Sequence, residues 1–356
     1  MDNNNNKIKI NMLSMADSVD GQGVGSAYLE LMKLLNEDGK NDFEIFLNKG
    51  TKYDIIHAHT VEPRNYLKLK FSKNPTVAYV HFLPDTLDGS IKLPKPIFKI
   101  FKKYVISFYK SADYLVVVNP IFKKDIAKAG IKEDKITYIP NFVSKEMFYK
   151  KTDKEIKDIR KKLGIKENKF VVLGAGQIQN RKGVIDFVEV AKKLPKIDFI
   201  WAGGFSFGGI TDGHHDLKII MENPPKNVRF LGIVPRNEMN DLFNASDLLF
   251  VPSYNELFPM TILEAISTDT PILLRDLELY EDILFKKYLK GSNNDEFSEI
   301  IKLLSKDKKE YQKQVENAKE ISKFYSKEHV YKMWKEFYTE IAKKKKKEKK
   351  KRKKSE

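Results

Sequence analysis

The sequence predicts an α/β protein of two doubly wound domains, each built on a mainly parallel sheet. Three observations support this class. Short apolar strands alternate with helical segments along most of the chain. The alternation starts at residues 8–13 and starts again at residues 170–173, after a charged helix. The 356 residues also exceed the length at which one hydrophobic core usually stops growing.

The predicted elements set the domain boundaries. The first half has predicted strands at residues 8–13, 53–57, 76–81 and 114–118, with a glycine-rich turn at 21–25 and a helix at 27–35. The second half has predicted strands at residues 170–173, 198–201, 228–231, 248–251 and 272–274, with helices at 154–163, 183–193 and 259–267. We expect an N-terminal domain over residues 1–148, a C-terminal domain over 149–320, and a helix over 321–341 that packs back on the N-terminal domain. We expect ligands in the cleft that the two domains face.

The composition excludes several classes of protein. The chain has no cysteine, which excludes disulfides, thiolate metal sites and cysteine nucleophiles. Its 65 basic and 49 acidic residues give a formal net charge of +16. Eleven basic residues and one acid occupy residues 343–354, and we expect residues 342–356 to form a disordered polybasic tail. No apolar run reaches the roughly 20 residues of a membrane span, and the start shows no secretion signal, so synthesis and retention in the cytoplasm are expected.

Residues 252–264 carry the most specific pattern in the chain. Glu256 lies in a loop that joins a predicted strand to a helix, and Glu264 lies within that helix. Pro259 suits the start of a helix, and the free N–H groups of a helix start attract phosphates. Two carboxylates placed in this way can bind vicinal hydroxyls, one on a sugar and the other on a ribose. The alternative is a surface loop followed by an ordinary amphipathic helix.

This segment resembles glycosyltransferase family 4, whose members are retaining enzymes. Further motifs agree in order: the glycine-rich loop at 21–25, DIIHAH at 54–59, His81 at a strand end, IPN at 139–141 and QNRKG at 179–183. The resemblance covers about residues 7–340. It implies the GT-B fold, in which two doubly wound Rossmann-like domains face each other across a cleft.

The resemblance implies a site for a nucleotide sugar, expected to be a UDP-sugar. It makes His81, Glu256 and Lys182 the catalytic residues: His81 contacts the transferred sugar, Glu256 binds its hydroxyls and Lys182 neutralises the departing phosphates. Glu264 is expected on the ribose. The implied donor-binding residues are Gly23, Gly25, Arg181, Lys182, Glu256, Phe258, Met260, Thr261 and Glu264. On the acceptor side the resemblance implies His59 and Asp85.

One position departs from the family pattern. The arginine that usually follows the glycine opening the donor loop is Gln177 here, so one phosphate cation is missing and Arg181 is expected to compensate. Because Lys182 and Arg181 supply positive charge, neither an essential metal nor a prosthetic group is expected. The run at 214–216 (HHD) is interpreted as a solvated loop rather than a metal site.

A closer similarity to bacterial diglycosyl-diacylglycerol synthases appears in three segments, at 10–28, 79–94 and 138–149. It implies transfer of glucose or galactose from a UDP-sugar to a monoglucosyl-diacylglycerol, which gives an α-linked diglycosyl lipid. The alternative within the family is a polysaccharide or another soluble acceptor.

Residues 92–110 suggest contact with a membrane. They hold six lysines and no acid, and apolar residues recur at helical spacing. That pattern is typical of a helix lying in a lipid interface, although a core helix flanked by lysines has the same periodicity. The expected membrane contacts are Lys99, Phe101, Lys102, Lys103 and Tyr104. Together with the basic tail they predict peripheral attachment to anionic lipids at the cytoplasmic face of the cell membrane.

Two other classes fit less well. A nucleic-acid-binding protein is suggested only by charge, which is concentrated in the tail, and no recognition helix, RNP or zinc motif is present, so no nucleic acid is expected as a partner. The spacing of the glycines at 21–25 is not GxGxxG, and no acidic residue closes a following strand. A dehydrogenase is therefore disfavoured.

Overall fold

The structure is a computed structural model that describes residues 7–14, 23–49, 52–83, 94–205, 214–256 and 258–355. The described chain forms two compact units. The first unit contains the described residues up to 83, residues 94–142 and residues 326–355, and the second contains the described residues between 143 and 325. Each unit has a six-stranded sheet in which all neighbouring strands are parallel. The predicted α/β class with two doubly wound sheets is confirmed.

The sheet of the first unit has the strand order β2-β1-β3-β4-β5-β6. Its strands are β1 (Ile8–Leu13), β2 (Phe43–Leu47), β3 (Ile55–Ala58), β4 (Thr76–Val80), β5 (Tyr114–Val117) and β6 (Ile136–Tyr138). The helices of this unit are α1 (Gly23–Glu37), α2 (Pro63–Lys70), α3 (Lys95–Lys110), α4 (Phe122–Lys128) and α12 (Lys327–Ser355). The sequence did not predict β2 or β6, which are the two edge strands; β2 is only half buried and β6 has three residues.

The sheet of the second unit has the strand order β12-β11-β10-β7-β8-β9. Its strands are β7 (Val171–Ala175), β8 (Asp198–Ala202), β9 (Val228–Phe230), β10 (Leu248–Val251), β11 (Ile272–Arg275) and β12 (Leu289–Gly291). Its helices are α5 (Asp153–Lys162), α6 (Val184–Lys193), α7 (His214–Glu222), α8 (Arg236–Ala245), α9 (Met260–Ser267), α10 (Asn294–Leu304) and α11 (Lys308–Phe324). The edge strand β12 was not predicted, and residues 214–216 form the first turn of α7 rather than a solvated loop.

The central strands are apolar because helices cover both faces of each sheet. Every residue of β4, β7 and β10 is buried, which explains their continuous apolar sequences. At the start of α5, Thr152 accepts a hydrogen bond from the backbone of Glu155, and the Glu155 carboxylate accepts one from the backbone of Thr152. This reciprocal cap fixes the beginning of the second unit's first helix.

The end of the chain differs from its prediction. Residues 342–356 were expected to be disordered, whereas α12 continues through Ser355. The first half of α12 buries Val330, Trp334 and Tyr338 in the first unit, and this packing provides the costly first turns of the helix. Lysine and arginine then extend it because both are good helix formers. Lys345 also donates a hydrogen bond to the backbone carbonyl of Asp54, 3.2 Å away.

Candidate active site

In the second unit, two loops meet at the carboxyl ends of neighbouring strands. Strand β10 pairs with β7, so the loop after β10 lies beside the basic loop after β7. The backbone N–H of Tyr254 donates to the carbonyl of Arg181 at 2.8 Å. Gly183 closes the basic loop with φ +68°, and a Cβ there would stand 2.4 Å from the carbonyl oxygen of Pro252. Only glycine allows this conformation and this approach.

The two loops bring Lys182 and Glu256 together. The Lys182 ammonium donates to the Glu256 carboxylate, and the two side chains are only 14% and 7% exposed. Arg181 lies beside them, with Nη1 4.0 Å from Glu256 Oε2 and 3.2 Å from the carbonyl oxygen of Asn255. Burial raises the pKa of Glu256, but the charges of Lys182 and Arg181 outweigh burial and hold that pKa below its ordinary value. Burial lowers the pKa of Lys182, against the opposing charge of Glu256.

Several buried polar atoms of the basic loop and of α9 have no hydrogen-bond partner among the described residues. They include Gln179 Oε1, Arg181 Nε and Thr261 Oγ1. Buried polar groups in proteins are rarely left unpaired, so this arrangement suits a polar ligand that supplies the missing partners. The amide of Gln177, at the position where the family usually has arginine, accepts a hydrogen bond from Gln179 Nε2 at 2.9 Å.

The second carboxylate, that of Glu264, lies in the second turn of α9. Phe258, Met260 and Glu264 are all buried, and the first turn of α9 has no side-chain cap. Glu264 Oε1 lies 3.7 Å from Nε of Arg236, the first residue of α8. Sequence reasoning missed Arg236, whose one signal is its position after Pro235 at a helix start.

In the first unit, the predicted histidines form a buried cluster. His59 Nδ1 lies 3.3 Å from His81 Nε2, and the rings of His57 and His59 have centroids 4.2 Å apart. Burial lowers the pKa of His81 to about 3, and burial with the nearby His81 lowers that of His57 to about 3. Burial, followed by its two histidine neighbours, lowers the pKa of His59 well below its ordinary value. All three rings are therefore neutral at physiological pH.

Residues of α12 complete this cluster. Tyr338 Oη lies 2.7 Å from His57 Nδ1, and Trp334 stacks on Tyr79 with centroids 5.7 Å apart. Tyr79 in turn contacts the ring of His81 at 4.2 Å. Sequence reasoning did not find Tyr338 or Trp334, because they lie more than 250 positions after the histidines and no local pattern links them.

Three other predicted site residues need separate mention. Gly23 and Gly25 lie in the first turn of α1 rather than in a loop. A turn of this kind presents backbone N–H groups, which fits the expected contact with phosphates. Asp85, predicted on the acceptor side, lies outside the described residues.

The burial pattern of α3 shows how far each residue of the predicted membrane face is exposed. Phe101 and Tyr104 are half buried on the side of the helix that packs inward with Val105 and Phe108. Tyr104 donates a hydrogen bond to the carbonyl of Val61. The exposed apolar side chains are instead Ile97 and Ile100, at 53% and 69%.

Lysines surround those two isoleucines. Lys99 and Lys103 are exposed, and Lys102 is half buried with its ammonium 4.7 Å from the ring centroid of Phe98. The helix periodicity was predicted correctly, but the burial of its two faces depends on tertiary packing.

The described residues form neither a metal-ligand group nor a membrane-spanning helix. Within the described ranges, no group of three or more histidine, aspartate or glutamate side chains could hold a metal ion. Among the helices of the described chain, none has the length and apolar composition needed to cross a bilayer.

The second unit carries a basic loop and two glutamates at the carboxyl edge of its sheet. Together with the two doubly wound parallel sheets, this site defines a glycosyltransferase of the GT-B class. Family models agree: the model "Glycosyltransferase Family 4" matches residues 40–146, and "Glycosyl transferases group 1" matches residues 155–321. The chain belongs to glycosyltransferase family 4. It is 48% identical to the alpha-galactosylglucosyldiacylglycerol synthase of Streptococcus pneumoniae, over 93% of this chain and 89% of the relative.

A second relative and two solved structures are less similar in sequence. The processive diacylglycerol alpha-glucosyltransferase of Acholeplasma laidlawii is 29% identical over 90% of this chain and 94% of the relative. Anabaena HepE, solved in complex with UDP and glucose, is 17% identical with a TM-score of 0.73, over 93% of this chain and 99% of HepE. Sucrose-phosphate synthase from Thermosynechococcus elongatus has a TM-score of 0.76 at 14% identity, over 94% of this chain and 99% of the synthase. These two structures share the fold of the chain.

Proposed function

We propose that this enzyme transfers galactose from UDP-galactose to a monoglucosyl-diacylglycerol and so makes an α-linked diglycosyl-diacylglycerol. The enzyme class follows from the family. The acceptor and the hexose are supported by the 48% identity, over most of both chains, to a relative named for a galactosylglucosyl lipid. The structural observation that best supports a donor site here is the buried contact of Lys182 with Glu256 beside Arg181.

Each charged group has a place in the proposed reaction. The bond between the anomeric carbon and the β-phosphate oxygen breaks, and its electron pair leaves with UDP. Lys182 and Arg181 neutralise the charge that develops on the diphosphate, with the N-terminus of α9 contributing its dipole. Glu256 accepts hydrogen bonds from sugar hydroxyls, and Glu264 from ribose hydroxyls. The acceptor hydroxyl bonds to the anomeric carbon on the face that UDP leaves, and its proton passes to the departing phosphate oxygen.

The histidines have a different part in this proposal. A neutral His81 can donate or accept one hydrogen bond with the transferred sugar, as the family resemblance implies. His59 holds the ring of His81 through the contact between Nδ1 and Nε2. A depressed pKa makes His81 a poor general acid at neutral pH, so we assign it to sugar binding rather than to proton transfer.

A lipid acceptor requires the enzyme to reach a membrane. Ile97 and Ile100, with the exposed Lys99 and Lys103 around them, fit peripheral contact with an anionic bilayer. The basic end of α12 adds electrostatic attraction of about 1 kcal/mol for each lysine near the surface. We therefore propose peripheral attachment to anionic lipids at the cytoplasmic face.

The decisive test is to incubate the purified protein with monoglucosyl-diacylglycerol and either UDP-galactose or UDP-glucose. Mass spectrometry and NMR of the lipid product then give the added hexose and the anomeric linkage. We expect an α-linked galactosyl product. A β-linkage, or turnover on soluble sugars that equals turnover on the glycolipid, would contradict the proposal.

Glucose is the second candidate for the transferred hexose. It is supported by the 29% identity to a processive glucosyltransferase, over 90% of this chain. The same assay separates the two, because the product lipids carry different terminal hexoses. Repeated glucosyl addition to one lipid would favour this second candidate.

A further inference from the structure

Tyr280 is a buried tyrosine that the proposed chemistry has not used. It ends a short 3-10 helix, Glu278–Tyr280, in the loop that follows β11. Strand β11 is the parallel neighbour of β10, with Leu274 beside Val251. The loop that carries Tyr280 therefore leaves the sheet at the same edge as the loop that carries Glu256.

A side chain at the end of β11 ties these two loops together. Arg275 donates from Nε to the carbonyl of Pro252 at 2.8 Å, and its guanidinium lies 3.8 Å from the ring centroid of Tyr254. Pro252 and Tyr254 belong to the loop of Glu256. These contacts hold the end of β11, from which the loop of Tyr280 starts, against the loop of Glu256.

The hydroxyl of Tyr280 is buried and unsatisfied. The residue has 0% exposure, and Oη has no hydrogen-bond partner among the described residues. An unpaired buried hydroxyl is destabilising, so its presence calls for an explanation. Burial, and after it the charge of Glu256, raises the pKa of Tyr280, while Arg181 acts in the opposite direction. Tyr280 therefore stays protonated and keeps an O–H to donate.

We propose that Tyr280 is a further donor-binding residue, whose hydroxyl hydrogen-bonds a hydroxyl of the transferred hexose beside Glu256. This inference rests on the proposed function of the same site and deepens it. The ligand supplies the hydrogen-bond partner that Tyr280 lacks in the free enzyme. The Tyr280 hydroxyl therefore adds affinity for the hexose but lowers the stability of the free protein. Arg181 Nε is also buried and has no partner among the described residues. Together, the Tyr280 hydroxyl and Arg181 Nε make the surroundings of Glu256 complementary to a polar ligand.

The test is Tyr280→Phe, which removes the oxygen and keeps the ring. We expect the KM for the UDP-hexose to rise about 3- to 10-fold, the worth of one neutral hydrogen bond. The Kd for UDP alone should stay unchanged, because UDP lacks the hexose. The melting temperature of the ligand-free variant should equal or exceed that of the wild type, since an unpaired buried hydroxyl is gone.

Tyr331→Phe is the matched control, since the Tyr331 hydroxyl has a partner, the carboxylate of Asp42 in the first unit. That variant should melt at a lower temperature and keep the wild-type KM. A lower melting temperature for ligand-free Tyr280→Phe, with unchanged KM, would show a structural hydroxyl and overturn the inference. Equal weakening of UDP and UDP-hexose would place the hydroxyl on the UDP part of the donor and also overturn the inference.

Different binding results would refute the proposed function and the inference about Tyr280. Wild-type protein that binds neither UDP-galactose nor UDP-glucose in calorimetry would refute the proposed function and this inference with it. Wild-type protein that binds a UDP-hexose, with Tyr280→Phe binding it equally well, would refute the inference alone.

Discussion

Lys182 and Glu256, 74 positions apart in the sequence, form a buried charge-assisted hydrogen bond in the second unit. The pair joins the basic loop to the loop before α9, and each partner neutralises the other's charge. A buried charge that loses its partner is strongly destabilising, whereas the intact pair adds little net stability. The contact is therefore better explained by the positioning of two reactive groups than by stabilisation of the fold.

The first prediction concerns Glu256→Gln. The amide still accepts a hydrogen bond but leaves the Lys182 cation without its counter-charge and weakens the hold on sugar hydroxyls. We expect kcat/KM to fall about 10- to 100-fold, the range for a hydrogen bond to a charged group, while far-UV circular dichroism stays native. Steady-state kinetics with glycolipid acceptor measure the loss. Near-wild-type turnover would remove Glu256 from the site.

A double variant separates catalysis from stability at this pair. Glu256→Gln alone should lower the free energy of unfolding, because Lys182 is left as an uncompensated buried cation. Adding Lys182→Met removes that cation and should recover much of the lost stability without recovering activity. Urea unfolding and turnover on the same preparations test both halves. Recovery of activity in the double variant would contradict the roles given to the two residues.

The second prediction is a dependence of stability on pH from the first unit. The pKa values of His57 and His81 are about 3 in the folded protein and about 6.5 when unfolded. The unfolded chain therefore binds more protons below pH 6.5. The stability from these histidines is complete above that pH and is lost as the pH falls toward 3. Each should contribute a slope of about 1.4 kcal/mol per pH unit in that window.

Denaturant unfolding between pH 5 and 8 measures this slope. His57→Asn should give a shallower curve below pH 6.5 than the wild type, and His215→Asn, at an exposed position of α7, should leave the curve unchanged. The same slope in His57→Asn and wild type would show that His57 is not held neutral in the folded state.

The third prediction concerns the membrane surface of α3. Replacing both Ile97 and Ile100 by serine removes the exposed apolar side chains of that helix. Partial burial of each isoleucine in lipid is worth about 1 kcal/mol or more, so binding to anionic vesicles should weaken about 10-fold or more. Leu303→Ser on α10, where leucine is 50% exposed, is the matched control. The contrary result is a double isoleucine variant that sediments with vesicles as the wild type does, while deletion of residues 343–356 abolishes binding. That result would assign membrane attachment to the basic end alone.

The fourth prediction concerns metal ions. Lys182, Arg181 and the start of α9 supply positive charge for the departing diphosphate, so we expect activity to survive EDTA. Initial rates measured with EDTA and with added Mg²⁺ should agree within error. A rate that falls on chelation and returns with Mg²⁺ would mean that these cations are insufficient and that a metal shares the charge of UDP.

Much of the architecture could be predicted from the chain alone. Central strands such as β4, β7 and β10 were found because burial on both faces leaves continuous apolar runs. Three of the four edge strands of the two described sheets, β2, β6 and β12, were missed, since partial exposure leaves them without a continuous apolar run. The glycosyltransferase family was predicted because its motifs are local, and each lies on one strand end or one loop.

The partners of the site residues could not be predicted in the same way. The sequence determined that Glu256, Arg181 and Lys182 lie in loops after strands and that Glu264 lies within a helix, because the turn residues and apolar runs around them fix local backbone structure. Tertiary structure decided that Lys182 contacts Glu256, that Tyr338 of α12 holds His57, and which face of α3 is exposed. The physical reason is that periodicity gives the faces of an element, whereas packing between distant segments decides what each face touches.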